Sequence, residues 1–137
     1  MVVNRRLIVG CALCAVSGLV ATRVAAQAPP AATPGVKRRI LQQLDGPVPG
    51  YTTLVVEVEI EAGATVARHT HPGIESVYFI EGGGELSVEG QAARQLTPGE
   101  AFQIPPGVPH GLKNGAKPTR GVATYVIEKG KPLASPA

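Results

Sequence analysis

From Val36 onward apolar and polar residues alternate in short runs, and no long stretch there has helical spacing. The clearest run is TTLVVEVEIEAG, residues 52–63. Leu54, Val56, Val58 and Ile60 fall on one side, while Val55, Glu57, Glu59 and Glu61 fall on the other. That period of two predicts a strand with one buried and one solvated face. Shorter runs at 39–44, 64–71, 75–80, 85–89, 92–96, 101–104, 109–113 and 120–128 predict further strands. Gly82-Gly83-Gly84, Thr97-Pro98-Gly99-Glu100 and Pro105-Pro106-Gly107 separate them as turns. With 17 glycines and 13 prolines among 137 residues, tight corners fit better than long helices. Eight or nine short strands predict an all-β jelly roll or closed barrel over 36–130. The run at 39–44 is expected at a sheet edge, and residues 131–137 read as a C-terminal tail.

The first residues follow a different pattern. MVVNRR is short and basic, residues 7–20 are apolar, and ATRVAA ends in small residues, the layout of a cleavable export signal over 1–26. Fourteen apolar residues fall short of the roughly 20 that span a bilayer. We therefore expect no stable membrane insertion after cleavage near Ala26, and a periplasmic or secreted mature protein. Asn4-Arg5-Arg6-Leu7-Ile8 partly resembles a twin-arginine signal, so both the Sec and twin-arginine routes stay open. Gln27 to Gly35, rich in alanine and proline, reads as a flexible tether over 27–35.

The leader changes what charge and cysteine mean. Without Arg5, Arg6 and Arg23 the 13 basic residues fall to 10, equal to the 10 acidic ones. A neutral domain argues against nucleic acid, which needs clustered positive charge. The one basic run left, Lys37-Arg38-Arg39, reads as a solvated strand end. Cys11 and Cys14 also leave, so neither a disulfide nor a thiolate ligand is expected.

Candidate chemistry concentrates in the three histidines. His69 and His71 are two apart on a predicted strand and so share a face. Glu75 follows the Pro72-Gly73 turn, which lets its carboxylate come back toward the same point. His110 follows the Pro-Pro-Gly corner. Taken singly, each is an ordinary surface or core residue. Together, three imidazoles and a carboxylate beside tight turns point to a metal site.

The spacing is more specific than that. Gly63-x5-His69-x-His71-x3-Glu75-x6-Gly82 resembles the first cupin motif at every fixed position. Gly99-x5-Pro105-x-Gly107-x2-His110-x3-Asn114 resembles the second. The resemblance implies a single cupin jelly-roll barrel (a double-stranded β-helix) with His69, His71, Glu75 and His110 as four ligands to one divalent transition metal ion. It implies turn roles for the glycines, and a loop hydrogen bond for Asn114. Imidazole and carboxylate donors without sulfur suit Fe, Mn, Ni, Co, Cu or Zn alike.

Four such ligands leave open positions for a small-molecule substrate or ligand. That suits an oxygenase, or a Lewis-acid isomerase or decarboxylase, with Glu75 as both ligand and proton acceptor. A non-enzymatic periplasmic binder holding its ligand on the metal is the alternative, and a purely structural ion is a third reading. Alternation places Phe79, Phe102, Ile104 and Leu112 around the pocket and points Arg68, Thr70 and Gln103 away from it. The edge strand and the habits of cupins predict a homodimer.

Overall fold

The computed structural model describes residues 33–137. The expected leader, 1–26, and residues 27–32 of the expected tether lie outside the described residues. Among the described residues there are ten strands and no helix. They are β1 (Val36–Asp45), β2 (Tyr51–Ile60), β3 (Thr65–Thr70), β4 (Gly73–Glu81) and β5 (Gly84–Val88), followed by β6 (Arg94–Leu96), β7 (Ala101–Ile104), β8 (His110–Asn114), β9 (Thr119–Glu128) and β10 (Ser135–Pro136). They build two antiparallel sheets, β1-β2-β9-β4-β7 and β10-β3-β8-β5-β6.

Period two decides what each strand buries. In β2, Leu54, Val56 and Ile60 are buried, and β9 alternates buried and half-buried residues along its whole length. Register carries these faces across the first sheet. Leu54, Tyr125, Glu75 and Ile104 form one cross-strand row, and Val56, Ala123, Val77 and Phe102 form the next. In the second sheet Val66, Leu112 and Leu86 make one row, and His69, His110 and Val88 another. A bulge between Val66 and His69 separates these rows on β3.

The apolar faces bury two clusters. One gathers Ile60, Phe79, Leu86, Leu96, Ile104 and Leu112. The other gathers Leu54, Val56, Ala123, Tyr125, Ile127 and Leu133, and Val58 and Val77 touch both. Asn114 closes one end. Its amide donates to the carbonyls of Ile60, Glu61 and Lys117 at 3.1, 2.7 and 3.1 Å, and its oxygen accepts from Thr119 at 2.6 Å. That is the loop-bonding role expected of it.

Two boundaries differ from the sequence reading. Residues 131–137 are no free tail, because Leu133 is 2% exposed within the second cluster and β10 pairs with β3 at Thr70 and His69. The end of the tether is also fixed. Thr33 bridges to Val36, and the Gly35 carbonyl accepts from the Glu61 amide at 2.8 Å. Strand β1 does lie at a sheet edge, but it begins at Val36 because Val36 pairs with Ile60.

Candidate metal centre

His69 lies near the end of β3, His71 just past it, Glu75 at the third residue of β4, and His110 at the first of β8. Two local features bring these places together. Gly73 lets β4 enter against β9 immediately after Pro72, since a Cβ there would lie 2.0 Å from the Val126 carbonyl oxygen. The Gly107 amide donates to the His71 carbonyl at 2.9 Å, which ties the corner before His110 to the end of β3.

The four side chains predicted from sequence converge. One ligand atom from each of His69, His71 and His110 lies within 4.8 Å of the others, so the three could hold a metal ion. Glu75 Oε2 is 2.9 Å from His110 Nε2 and 3.5 Å from His71 Nε2. His71, Glu75 and His110 are buried, and His69 is half-buried on the cavity side.

The hydrogen bonds fix which nitrogen of each ring carries the proton. His69 Nδ1 meets the Ala67 carbonyl at 2.7 Å, His110 Nδ1 meets Val108 at 2.9 Å, and His71 Nδ1 meets Leu133 at 2.5 Å. A carbonyl only accepts, so each Nδ1 must donate, and a neutral ring then presents Nε2 as a bare lone pair. His69 Nε2 and His71 Nε2 nonetheless stand 3.1 Å apart. Glu75 Oε2 and His110 Nε2, though 2.9 Å apart, are both buried without a hydrogen-bond partner. Four electron-pair donors thus face a common point rather than one another. Such a set repels itself unless a cation lies among its members, and backbone carbonyls behind the rings are the usual orienting partners of metal-bound imidazoles. The residues fit a divalent ion.

The electrostatics agree for His69 and Glu75, whereas His110 keeps a proton more readily than an ordinary imidazole, so an ion must displace it there. Burial pulls the His69 pKa down to about 4, against the hydrogen bond to Ala67, so the ring is neutral and available at neutral pH. Burial opposes charge on Glu75, but the contacts to His110 and His71 outweigh it and hold its carboxyl well below the ordinary range. Burial would lower His110 too, yet Glu75 and the Val108 carbonyl raise it overall. The Glu75 carboxylate is therefore ionised, the form a metal takes.

Beside this centre lies a cavity of ≈ 60 Å³ between the sheets. That is room for several waters or a small ligand. Its walls are mostly apolar, with His69, Glu75, His110, Tyr125, Thr119 and Arg38 as the polar exceptions. Phe79, Phe102 and Leu112 line it as alternation predicts, whereas Ile104 does not. Ile104 is on the inward face but pairs with Glu75 in the sheet and packs deeper, in the core with Leu86. Arg68 turns outward to an ion pair with Glu89, and Gln103 outward to Ser76, as alternation requires.

Two contributors were not anticipated. Tyr125 stands beside Glu75 in register, with its ring 5.0 Å from that of His71. Burial first, then the Glu75 charge and a hydrogen bond to it, raise the phenol pKa and keep the group protonated. The sequence reading gave 120–128 only as a strand, and the neighbour of Glu75 depends on sheet order. The other is the Leu133 carbonyl behind His71.

The geometry can be set beside known proteins. The Cupin domain family model matches residues 56–126, just over half of the chain. The chain belongs to the cupin family. This cupin is 33% identical over 72 residues to an (R)-mandelonitrile lyase of Granulicella tundricola, with 53% of each chain covered. It is similar to a cupin-like protein from Thermotoga maritima at a TM-score of 0.60 and 25% identity, covering 74% of this chain and 75% of that one. The DMSP lyase DddQ of Ruegeria pomeroyi shares the fold at a TM-score of 0.57 and 24% identity, covering 62% of this chain and 43% of the other. The cupin thus spans about half the length of the mandelonitrile lyase and less than half of DddQ.

Proposed function

We propose that this cupin is an exported metal-dependent enzyme that breaks a bond in a small oxygen-bearing molecule by Lewis-acid chemistry. The observation that carries the reading is the set of three Nδ1-anchored imidazoles whose bare Nε2 atoms, with the unpartnered Glu75 oxygen, face one point. Four sulfur-free donors leave open positions on an octahedral ion, as catalytic sites do. The lyase relative favours elimination over oxygenation. When bound, the ion would supply a Lewis acid that draws electron density from a substrate oxygen.

The remaining work belongs to the chain. Val77, Phe79, Phe102 and Leu112 give the cavity dry walls that exclude bulk water. Tyr125 keeps its proton and donates to Glu75, steadying the carboxylate. Glu75 stays ionised, so an oxygen not engaged with the ion can accept a substrate proton. The test is metal analysis of protein purified from its own compartment, followed by turnover on 2-hydroxynitriles and on carboxylates with a leaving group at the β-carbon. Oxygen uptake with catechols and β-diketones tests the oxygenase alternative. Full metal content with turnover on neither panel would replace catalysis by ligand binding.

Export is supported by the leader pattern over 1–26, and it predicts a mature chain starting at Gln27, checked by intact mass. A homodimer is supported by β1, which pairs with β2 alone among the described strands and exposes Ile40, Leu41 and Leu44. A sedimentation mass of one mature chain would refute it.

A further inference from the structure

The basic run Lys37-Arg38-Arg39 lies on β1, where period two divides it. Lys37 and Arg39 face out, and Arg39 bonds Glu57 at 2.6 Å across the sheet. Arg38 faces in. It is half-buried and lies opposite Val58, which lies opposite Gly121, and all three line the cavity. Its guanidinium has no hydrogen bond or ion pair with any described residue, although its charge acts on the Tyr125 phenol.

The position of Arg38 is specific. Together with Val66 and His69 it lines both the inner cavity and a hollow of ≈ 150 Å³ on the surface beside β10. It therefore stands where the site opens to solvent. The other arginine at that hollow, Arg68, is engaged with Glu89.

Charge counting then identifies the ligand. Three neutral imidazoles and the Glu75 carboxylate around a divalent ion leave one net positive charge, and Arg38 adds a second. No other carboxylate lines the cavity. Half-buried positive charge between apolar walls calls for an anion. A guanidinium offers the fork that a carboxylate matches.

We propose that the substrate or ligand of this site is a small carboxylate, such as a 2-hydroxy or 2-oxo acid, with its carboxylate held by Arg38 at the cavity mouth and an oxygen donor turned to the metal. This rests on the metal-site reading above.

The experiment uses protein loaded with Co(II), whose visible bands report a ligand entering the coordination sphere. Lactate and the neutral isostere lactamide are titrated into wild type, Arg38→Met, Arg38→Lys and the outward control Arg39→Met, with cobalt per chain measured for each. We expect Arg38→Met to keep its cobalt and bind lactate about ten- to hundredfold more weakly, the range of a lost charged hydrogen bond. Lactamide binding should stay within about twofold. Arg38→Lys should recover part of the loss, and Arg39→Met should match wild type. An unchanged lactate-to-lactamide ratio in Arg38→Met, or equal losses for both ligands, overturns the role of Arg38 while leaving the metal site standing. Failure of wild type to hold cobalt overturns the metal reading and the proposal with it.

Discussion

The three histidines of the centre point the same way but are held in two different manners. His69 and His110 lie opposite each other in register, and each ring is braced by a carbonyl two residues upstream on its own segment, Ala67 and Val108. His71 is braced by Leu133, 62 residues away, in the last stretch of the chain. The first kind of brace comes with the local backbone. The second exists only once Leu133 is seated in the core and β10 has paired with β3. A ligand set that reads as uniform in sequence is therefore uneven in how its members are secured.

The largest effect should come from removing a ligand, which makes the difference between the braces irrelevant. His110→Ala and His71→Ala should each weaken metal binding beyond the roughly 10–100-fold expected for loss of an outer partner. His110→Ala also empties space around a buried side chain, which should lower stability by about 1 kcal/mol or more. Metal titration with a competing chelator and thermal unfolding measure the two effects. Equal metal content in wild type and His110→Ala would dismiss the site.

Next in size is the distant brace itself. Deleting residues 132–137 removes the Leu133 carbonyl and should weaken metal binding by about 10–100-fold. Leu133→Ala separates packing from bracing. It retains the carbonyl and loses a side chain that is 2% exposed. It should therefore lower stability by about 2–5 kcal/mol with a smaller change in metal affinity than the deletion produces. If the deletion leaves affinity intact, His71 needs no help from the end of the chain.

That contrast also marks what could be read from sequence. The strand faces follow from alternation, so Leu54, Val56 and Ile60 were legible. The four converging side chains followed from motif spacing, because both motifs place them beside glycine and proline corners. Leu133 was not legible, since KPLASPA has a single large apolar residue and no period. Ile104 was assigned the right face but the wrong depth, for alternation gives direction and not distance from a cavity. Lys37-Arg38-Arg39 reads as solvated in sequence, and only the pairing of Val36 with Ile60, which extends β1 past the expected 39–44, turns Arg38 inward. Tyr125 was not legible, because apolar residues occupy both faces of 120–128 and its contact with Glu75 depends on β9 lying beside β4, a pairing between strands far apart in sequence.

A smaller effect separates the two locally braced rings by pH. In metal-free protein, His69 should titrate near pH 4 and His110 above its ordinary 6.5. Their linkage to stability has opposite sign. Between pH 6.5 and about 4 the unfolded chain binds the His69 proton that the folded one refuses, so this contribution to stability falls on acidification. The His110 contribution is complete below 6.5 and is lost as pH rises through its raised folded value. Imidazole resonances followed by NMR should show the two transitions, and metal loading should remove both, since a bound ion excludes the proton. Coincident titrations at 6.5 would mean that neither burial nor Glu75 distinguishes the rings.

The smallest effect is expected where the brace is local. The groups that orient His69 and His110 are backbone oxygens, so the side chains at Ala67 and Val108 contribute nothing to the hydrogen bonds. Ala67→Ser and Val108→Ala leave both carbonyls in place, and each brace lies only two residues from its ring, on β3 for His69 and in the corner before β8 for His110. Val108 is half-buried against the first core cluster, so its truncation should lower stability by about 1 kcal/mol or less. Metal affinity should move by less than about threefold in either variant. A loss comparable to that from deleting 132–137 would show that all three braces depend on packing, and the division between the rings would disappear.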